Sequence, residues 1–182
     1  MGPILIVAVG RVVPGELTAL ARRLHTLLRT PVSEAILDID PKFAFDASRQ
    51  QYRSDLLLEL IAARAPTEGR VLGVVNHDLF IPVLTYVFGE AELGGRAAVV
   101  STFRLRNELY GLEADAVLLH ERLVKEAMHE LGHTAGLLHC YTPGCVMQPS
   151  SHTDLVDVKS EMFCRNCALQ VGLEPLPRSP VL

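Results

Sequence analysis

Three histidines and one glutamate follow the spacing of a metal site over residues 129–139. The sequence reads H-E-x-x-H-x-x-G-x-x-H, with His129, Glu130, His133 and His139 at the specified positions. An α-helix turns by about 100° per residue, so His129 and His133 lie about 40° apart around its axis and can hold one ion between them. Glu130 then lies beside that ion.

His139 can reach the same ion only if the helix ends before it. Six residues beyond His133, it would lie about 240° further around the axis and about 9 Å along it. Gly136 supplies the end, since glycine adopts the positive φ of a helix C-terminus without a steric penalty. The spacing therefore predicts a helix that stops near Gly136 and a chain that folds back to present His139.

These residue types predict a catalytic zinc site. Three neutral imidazoles leave the fourth position of zinc open for a water molecule, whose pKa falls to about 7 there. The Glu130 carboxylate can take the proton as this water attacks a peptide carbonyl, and can pass it to the leaving amine. We therefore expect a zinc-dependent metallopeptidase that hydrolyses peptide bonds by a zinc-activated water, with Glu130 as general base. A helix with scattered histidines and no metal is the simpler alternative.

All four cysteines of the chain form a second cluster, at Cys140, Cys145, Cys164 and Cys167. A Cys-x-x-Cys pair with two upstream thiols is a typical ligand set for a closed tetrahedral zinc. A plant-type iron–sulfur cluster is the alternative, although its third cysteine follows after two residues and here the gap is eighteen. His139 and Cys140 are neighbours that point to opposite sides of an extended chain, so we expect two zinc ions per chain.

Composition indicates one compact domain and argues against several kinds of partner. The chain has 182 residues, of which 49% are hydrophobic and 21% charged, and its formal net charge is −4. This length suits a single domain, and the dispersed lysines and arginines give no footprint for nucleic acid. No run approaches the ~20 apolar residues of a membrane span. Residues 1–10 are apolar but lack the basic residues of an export signal, so we expect a soluble cytoplasmic protein whose thiols bind metal.

Hydrophobic patterning predicts the elements that position these groups. Three strands and two helices are predicted, the strands at 4–9, 32–39 and 71–75 and the helices at 16–29 and 48–64. Residues 96–106 are predicted as a further strand, buried in its first half, whose backbone groups could pair with an extended substrate. The metal-binding helix is predicted to begin near Asp115.

The stretch from His129 to Cys167 resembles the archaemetzincin family of the metzincin clan. The extended histidine motif is the zinc signature of that clan, and Met147 stands where its enzymes have their Met-turn. The cysteine series around Met147 is similar to the pattern of the family itself. Residues 88–91 and 99–101 are similar to its upstream half.

The resemblance implies an α+β fold of the zincin type, in which a mixed β-sheet packs on helices that include the zinc-binding active-site helix. It also implies Glu130 as general base, Met147 as a hydrophobic floor beneath the catalytic zinc, and a structural zinc on the four cysteines. Ordinary core packing is the alternative role for Met147. Pro149 stands where some metzincins carry a tyrosine that approaches the metal, so no such switch is expected.

Residues 1–182 are thus predicted to form one compact metallopeptidase domain that acts on a peptide or protein substrate. Its parts are an N-terminal β/α part at about 1–114, the zinc helix, Met-turn and cysteine site at about 115–172, and a loose tail at 173–182. The alternative is a non-catalytic, zinc-stabilised module that binds a peptide or a partner. Glu130 favours the enzyme, because a binding module needs no carboxylate beside an open zinc position.

Overall fold

The computed structural model describes residues 1–10, 15–37 and 40–174 of the chain. In chain order, these residues form β1 (Ile4–Val9), α1 (Glu16–Leu28), β2 (Val32–Leu37), β3 (Phe45–Asp46), β4 (Gln51–Arg53), α2 (Ser54–Ala62), β5 (Arg70–Val75), β6 (Leu79–Phe80), β7 (Gly89–Ala91), β8 (Ala97–Ser101), α3 (Ala116–Thr134), α4 (Thr153–Val158) and α5 (Arg165–Gln170). Short 3₁₀ turns lie at Pro41–Ala44, Phe103–Leu105 and Asn107–Tyr110.

Five strands form a mixed sheet in the order β2-β1-β5-β8-β7. The first four run parallel, and β7 is antiparallel to β8 at one edge. The apolar run of β1 is buried on both faces, as expected for a parallel strand covered by helices. Ile4 and Ile6 belong to one core cluster and Val7 and Val9 to the other. Strands β3, β4 and β6 form a second, smaller sheet.

Helices cover both faces of the main sheet. Leu20 and Leu24 of α1 share one buried cluster with Leu123 and Ala127 of α3, whereas Leu57 and other residues of α2 pack in the cluster on the opposite face. The predicted mixed sheet packed on helices is confirmed. So are the strands at 4–9 and 71–75 and the helix at 16–29, each to within one residue.

Helix α3 begins and ends where the sequence predicts. Its N-cap is Asp115, whose carboxylate accepts hydrogen bonds from the backbone N–H groups of residues 117 and 118 at 3.0 and 2.9 Å. At the other end, Gly136 has φ +90° and Leu137 N–H donates to the Gly132 carbonyl at 3.0 Å. This left-handed C-terminus turns the chain back towards the helix.

The predicted helix at 48–64 is wrong in its first six residues. The Asp46 carboxylate accepts from the backbone N–H groups of Ser48 and Arg49 at 2.8 and 3.2 Å, which stabilises a turn. Residues 51–53 then form β4, and α2 begins only at Ser54. These local hydrogen bonds therefore stabilise a turn where the apolar periodicity predicts a helix.

The predicted strand at 96–106 is also wrong in its second half and in its role. It ends at Ser101, whose hydroxyl accepts from Phe103 N–H at 3.0 Å and so favours the 3₁₀ turn that follows. Strand β8 pairs with β5 on one side and β7 on the other, which leaves it no free edge for a substrate. The strand at this edge of the sheet is β7, and β2 lies at the other edge.

Two predicted segments fall partly outside the described residues. The strand at 32–39 is confirmed as far as residue 37, and residues 38–39 lie outside. In the predicted tail, Leu173 N–H donates to the Ala168 carbonyl at 2.9 Å, whereas residues 175–182 lie outside. None of the described helices has the length and hydrophobicity needed to cross a lipid bilayer.

Candidate active site and metal centres

The structure brings the three predicted metal-ligating histidines together. His129 and His133 project from α3 with their Nε2 atoms 3.1 Å apart, and His139 returns to them after the turn at Gly136. One ring nitrogen from each lies within 4.8 Å of the others. Two nitrogens on a tetrahedral zinc are separated by about 3.3 Å, so this arrangement fits one ion.

Backbone carbonyls orient two of the imidazoles. His129 Nδ1 lies 2.9 Å from the Val146 carbonyl oxygen, and His133 Nδ1 lies 2.7 Å from that of Leu137. Because a carbonyl only accepts, each Nδ1 carries the proton and each Nε2 lone pair is free to bind a metal. Burial lowers the pKa of His129, His133 and His139, which favours the neutral, metal-binding form of each ring.

Glu130 lies beside this cluster, buried against the edge strand. Burial, together with the nearby carboxylate of Glu126, raises the pKa of Glu130 well above its usual value. A Cβ added at Gly89 of β7 would lie 2.7 Å from both Cγ and Oε1 of Glu130. Glycine at position 89 therefore allows the strand to approach the carboxylate closely.

A buried ion pair lies one helical turn before Glu130. Lys159 Nζ is 2.8 Å from a carboxylate oxygen of Glu126, and the Lys159 side chain is fully shielded from solvent. The same ammonium group donates to the Gln148 carbonyl at 3.3 Å. The pair thus joins α3 to the segment that follows Met147.

The four cysteines form a second centre, with their Sγ atoms within 4.8 Å of one another. The Cys140–Cys164 and Cys145–Cys167 sulfur separations are 3.8 and 3.9 Å, close to the about 3.8 Å between two thiolates on a tetrahedral zinc. All four thiols are free of disulfides. Although burial acts to raise it, hydrogen bonds with Cys167 lower the pKa of Cys164 to about 7, which favours the thiolate that binds metal.

Met147 contacts both the metal-binding helix and the segment that carries His139 and Cys140. Its side chain is buried and packs so closely on α3 that a Cβ added at Gly132 would lie 2.4 Å from Met147 Sδ. Its carbonyl accepts from Cys140 N–H at 2.9 Å. The chain that carries His139 and Cys140 is therefore fixed to the Met147 segment by its backbone.

A cavity of about 680 Å³ opens in front of the histidines. It is lined by residues 84–91, by the facing residues of α3, by His139, and by residues 149–151 with Leu155. The Phe88 carbonyl and the Glu92 N–H bond to β8, so the alternate backbone groups of Gly89 and Ala91 point away from it. An extended chain in the cavity could pair with these groups.

Sequence reasoning missed the parts of the site that depend on long-range contacts. The sequence marks residues 88–91 only by their similarity to the upstream half of a family, which gives no role to Gly89. Glu126 lies four residues before Glu130 and so shares its helix face. This spacing is visible in the sequence and could have indicated a role for Glu126 near the site. Lys159 has no local pattern, and only the folded chain brings it to Glu126.

A helix that presents two imidazoles and a carboxylate to a cleft beside an edge strand is the arrangement of a zinc metallopeptidase. The model of peptidase family M54 matches residues 48–172. The archaemetzincin of Methanocaldococcus jannaschii is 44% identical over 128 residues, which cover 70% of this chain and 69% of that protein.

Solved structures agree with this match over nearly the whole chain. The archaemetzincin of Archaeoglobus fulgidus, solved in complex with malonate, is 38% identical with a TM-score of 0.80, covering 92% of this chain and 99% of that one. A zinc-dependent peptidase from Methanocorpusculum labreanum is 33% identical with a TM-score of 0.85, at the same coverage. The chain belongs to peptidase family M54, the archaemetzincins, and the predicted family, fold and enzyme class are confirmed.

Proposed function

We propose that this metallopeptidase holds a catalytic zinc on His129, His133 and His139 and uses Glu130 as general base. The observation that carries the proposal is the buried Glu130 carboxylate beside three converging imidazoles, two of which have their Nδ1 atoms engaged by carbonyls. A zinc ion held there would polarise a peptide carbonyl and make a water molecule a stronger acid.

The protein's own groups handle the proton. One carboxylate oxygen of Glu130 accepts a proton from the attacking water, and the resulting carboxylic acid donates that proton to the nitrogen of the leaving amine. Burial suits Glu130 to this task, because a raised pKa stabilises the protonated form between the two transfers.

The free edge of β7 orients the substrate in this proposal. An extended peptide that pairs with the backbone of Gly89 and Ala91 lies along the cavity wall beside Glu130. The main-chain hydrogen bonds supply affinity without regard to side chains. This arrangement supports peptides or extended segments of proteins as the substrate class.

We further propose that the cysteine centre holds a second, structural zinc. The sulfur separations support a closed tetrahedral site, and the Cys140–Met147 backbone hydrogen bond connects it to the loop that carries His139. Each chain would then contain two zinc ions with separate tasks. An ion on the cysteines would stabilise the loop, and an ion on the histidines would supply the Lewis acid for hydrolysis.

Digestion of a diverse peptide library tests the proposed function. Zinc-loaded protein is compared with Glu130→Gln protein of matched zinc content, and products are identified by mass spectrometry. Cleavage by the unaltered protein alone supports the peptidase mechanism and reports its side-chain preference. Equal cleavage by both proteins would remove Glu130 from the mechanism. Cleavage by neither, with both zinc sites filled, would favour the non-catalytic binding module.

A further inference from the structure

Glu90 lies in the middle of β7, the strand that borders the cavity. Its partner on β8 is Val99, which belongs to the core cluster that contains Leu57 of α2. Paired residues of neighbouring strands place their side chains on the same face of a sheet. The Glu90 side chain therefore lies on the α2 face, whereas a Cβ at Gly89 would face Glu130 of α3 on the other.

The Glu90 carboxylate forms no ion pair in the described part of the chain. Its Oε2 atom is shielded from solvent and accepts no hydrogen bond from these residues. Burial raises the pKa of Glu90, the neighbouring Ser54 hydroxyl counteracts this rise, and the Asp55 carboxylate adds to it. Asp55 is itself paired with Arg53. Because a shielded carboxylate without a cation is costly, a positive group that reached Glu90 would bind favourably.

Three glutamates line the cavity, and Glu90 is the one to which the proposed reaction gives no task. Glu126 is paired with Lys159 at 2.8 Å, and Glu130 lies beside the histidines as the proposed general base. The lining residues that the structure describes include no lysine or arginine. The charge of Glu90 is therefore left to be matched by a molecule that enters the cavity.

The free edge of β7 determines which substrate residue meets Glu90. Edge pairing is available at Gly89 and Ala91, whereas Val87 is already bridged to Leu79. On an added strand, the residue opposite Glu90 places its side chain on the α2 face, with the two Cβ atoms about 4.5–5.5 Å apart. The residues before and after it project to the α3 face instead. A lysine or arginine side chain can reach the Glu90 carboxylate from that one position.

This position lies close to the bond that would be cut. Gly89 approaches Glu130 so closely that an added Cβ would lie 2.7 Å from Oε1 of that carboxylate. Glu90 is the next residue, about 3.3 Å further along the strand. The substrate residue opposite Glu90 therefore lies within about two residues of the scissile bond.

We propose that Glu90 selects a lysine or arginine side chain at the substrate position opposite it on the β7 edge. This inference rests on the proposed function, since it needs a substrate that pairs with Gly89 and Ala91. Glu90 acts here as a specificity-determining residue, whose carboxylate pairs with the ammonium or guanidinium group. The substrates are then peptides with a basic residue beside the scissile bond. An acidic residue at that position is disfavoured, because like charges directly opposite each other are destabilising.

Peptide hydroxamates test this pairing without relying on catalysis. A hydroxamate binds zinc and so fixes the register of the attached peptide. Each compound carries three alanines on the amino or the carboxyl side of the hydroxamate, with one alanine replaced by lysine or by uncharged norleucine. Their affinities for zinc-loaded Glu130→Gln protein are measured by calorimetry. We expect lysine to bind about tenfold more tightly than norleucine at one position, without such a preference at the positions next to it.

Variants show whether Glu90 causes the preference. In the Glu130→Gln background, Glu90→Gln keeps the size of the side chain and removes its charge, so the preference for lysine should disappear. The norleucine compounds should bind as before, which shows that the fold is intact. Glu121→Gln is the matched control, since Glu121 is exposed and lies outside the cavity lining. It removes the same charge and should leave the preference unchanged.

Several outcomes would overturn the role of Glu90. They are the absence of a lysine preference, a preference that is equal at every position or persists in Glu90→Gln, and a loss in Glu90→Gln that the lysine and norleucine compounds share. Peptide cleavage by the unaltered protein would still support the proposed catalytic site in these cases. If the norleucine compounds also fail to bind before Glu90 is changed, the zinc site is contradicted, and the role of Glu90 with it.

Discussion

The Nδ1 atom of His129 lies 2.9 Å from the carbonyl oxygen of Val146, one residue after Cys145 and one before Met147. This contact connects the two candidate metal centres through a single residue. The carbonyl fixes which ring nitrogen of His129 is free for a metal, and the position of that carbonyl depends on the loop that carries Cys145. Changes at the cysteine centre should therefore affect the histidine centre.

Replacement of one cysteine should remove one zinc ion and destabilise the fold. In Cys164→Ser, a weaker ligand replaces the thiolate at a centre where a structural zinc would contribute on the order of 10 kcal/mol. We expect one zinc equivalent by mass spectrometry instead of two, and a clearly lower melting temperature. Asn166→Ser, an exposed position between Cys164 and Cys167, should leave both unchanged. Two zinc equivalents and an unchanged melting temperature in Cys164→Ser would contradict the structural-zinc assignment.

Gly89→Ala should slow hydrolysis while leaving the zinc content intact. The added Cβ would lie 2.6 Å from the Val99 carbonyl and 2.7 Å from Glu130, so either the strand or the carboxylate must move. A displacement of about 1 Å at a catalytic group can cost about 10²-fold in rate. Steady-state kinetics on a peptide from the library would measure the loss. Ala91→Gly alters the same strand without intruding on Glu130 and should retain most activity; equal losses in both variants would argue against a specific effect at Gly89.

The buried Glu126–Lys159 pair should be costly to break on one side only. Lys159→Met leaves the Glu126 charge buried without its partner, which typically costs about 3–5 kcal/mol. The double variant Glu126→Leu/Lys159→Met should recover much of that loss in urea unfolding. Lys42→Met, in the exposed Lys42–Asp40 pair, should shift the unfolding midpoint little. A double variant no more stable than Lys159→Met would contradict this account of the pair.

The histidine-bound ion should persist below the pH at which ordinary histidines protonate. Burial lowers the pKa of all three imidazoles, so protons compete with the metal only at a pH below the usual value of about 6.5. Protein dialysed at pH 6.0 should therefore keep both zinc equivalents. The Glu130→Gln variant keeps every proposed zinc ligand and should also retain both zinc equivalents at pH 6.0. Loss of one equivalent between pH 7.5 and 6.5 would show that the rings are not shielded as described.

The local parts of the site could be predicted from the sequence, because short-range geometry determines them. The pairing of His129 with His133 follows from the helical period, and the turn that returns His139 follows from the positive φ available to Gly136. The four-cysteine centre likewise follows from ligand spacing. These predictions need only neighbours in the chain.

The rest depends on contacts between distant segments. The sequence predicts the substrate-pairing strand at residues 96–106, because apolar periodicity shows that a strand is buried but not which strands flank it. Only the pairing of β8 with both β5 and β7 reveals that β7 is the edge. The Lys159–Glu126 pair and the Tyr86–Ser151 hydrogen bond join residues that no local pattern relates.

Anomalous diffraction at the zinc absorption edge, from crystals of the zinc-loaded protein, tests the central claim most directly. The account predicts two peaks per chain. One should lie among the Nε2 atoms of His129 and His133 and the ring of His139, with one coordination position free of protein ligands and facing Glu130. The other should lie among the four cysteine sulfurs. No peak at the histidines, or an ion there whose coordination is completed by a protein side chain, would contradict a catalytic zinc site.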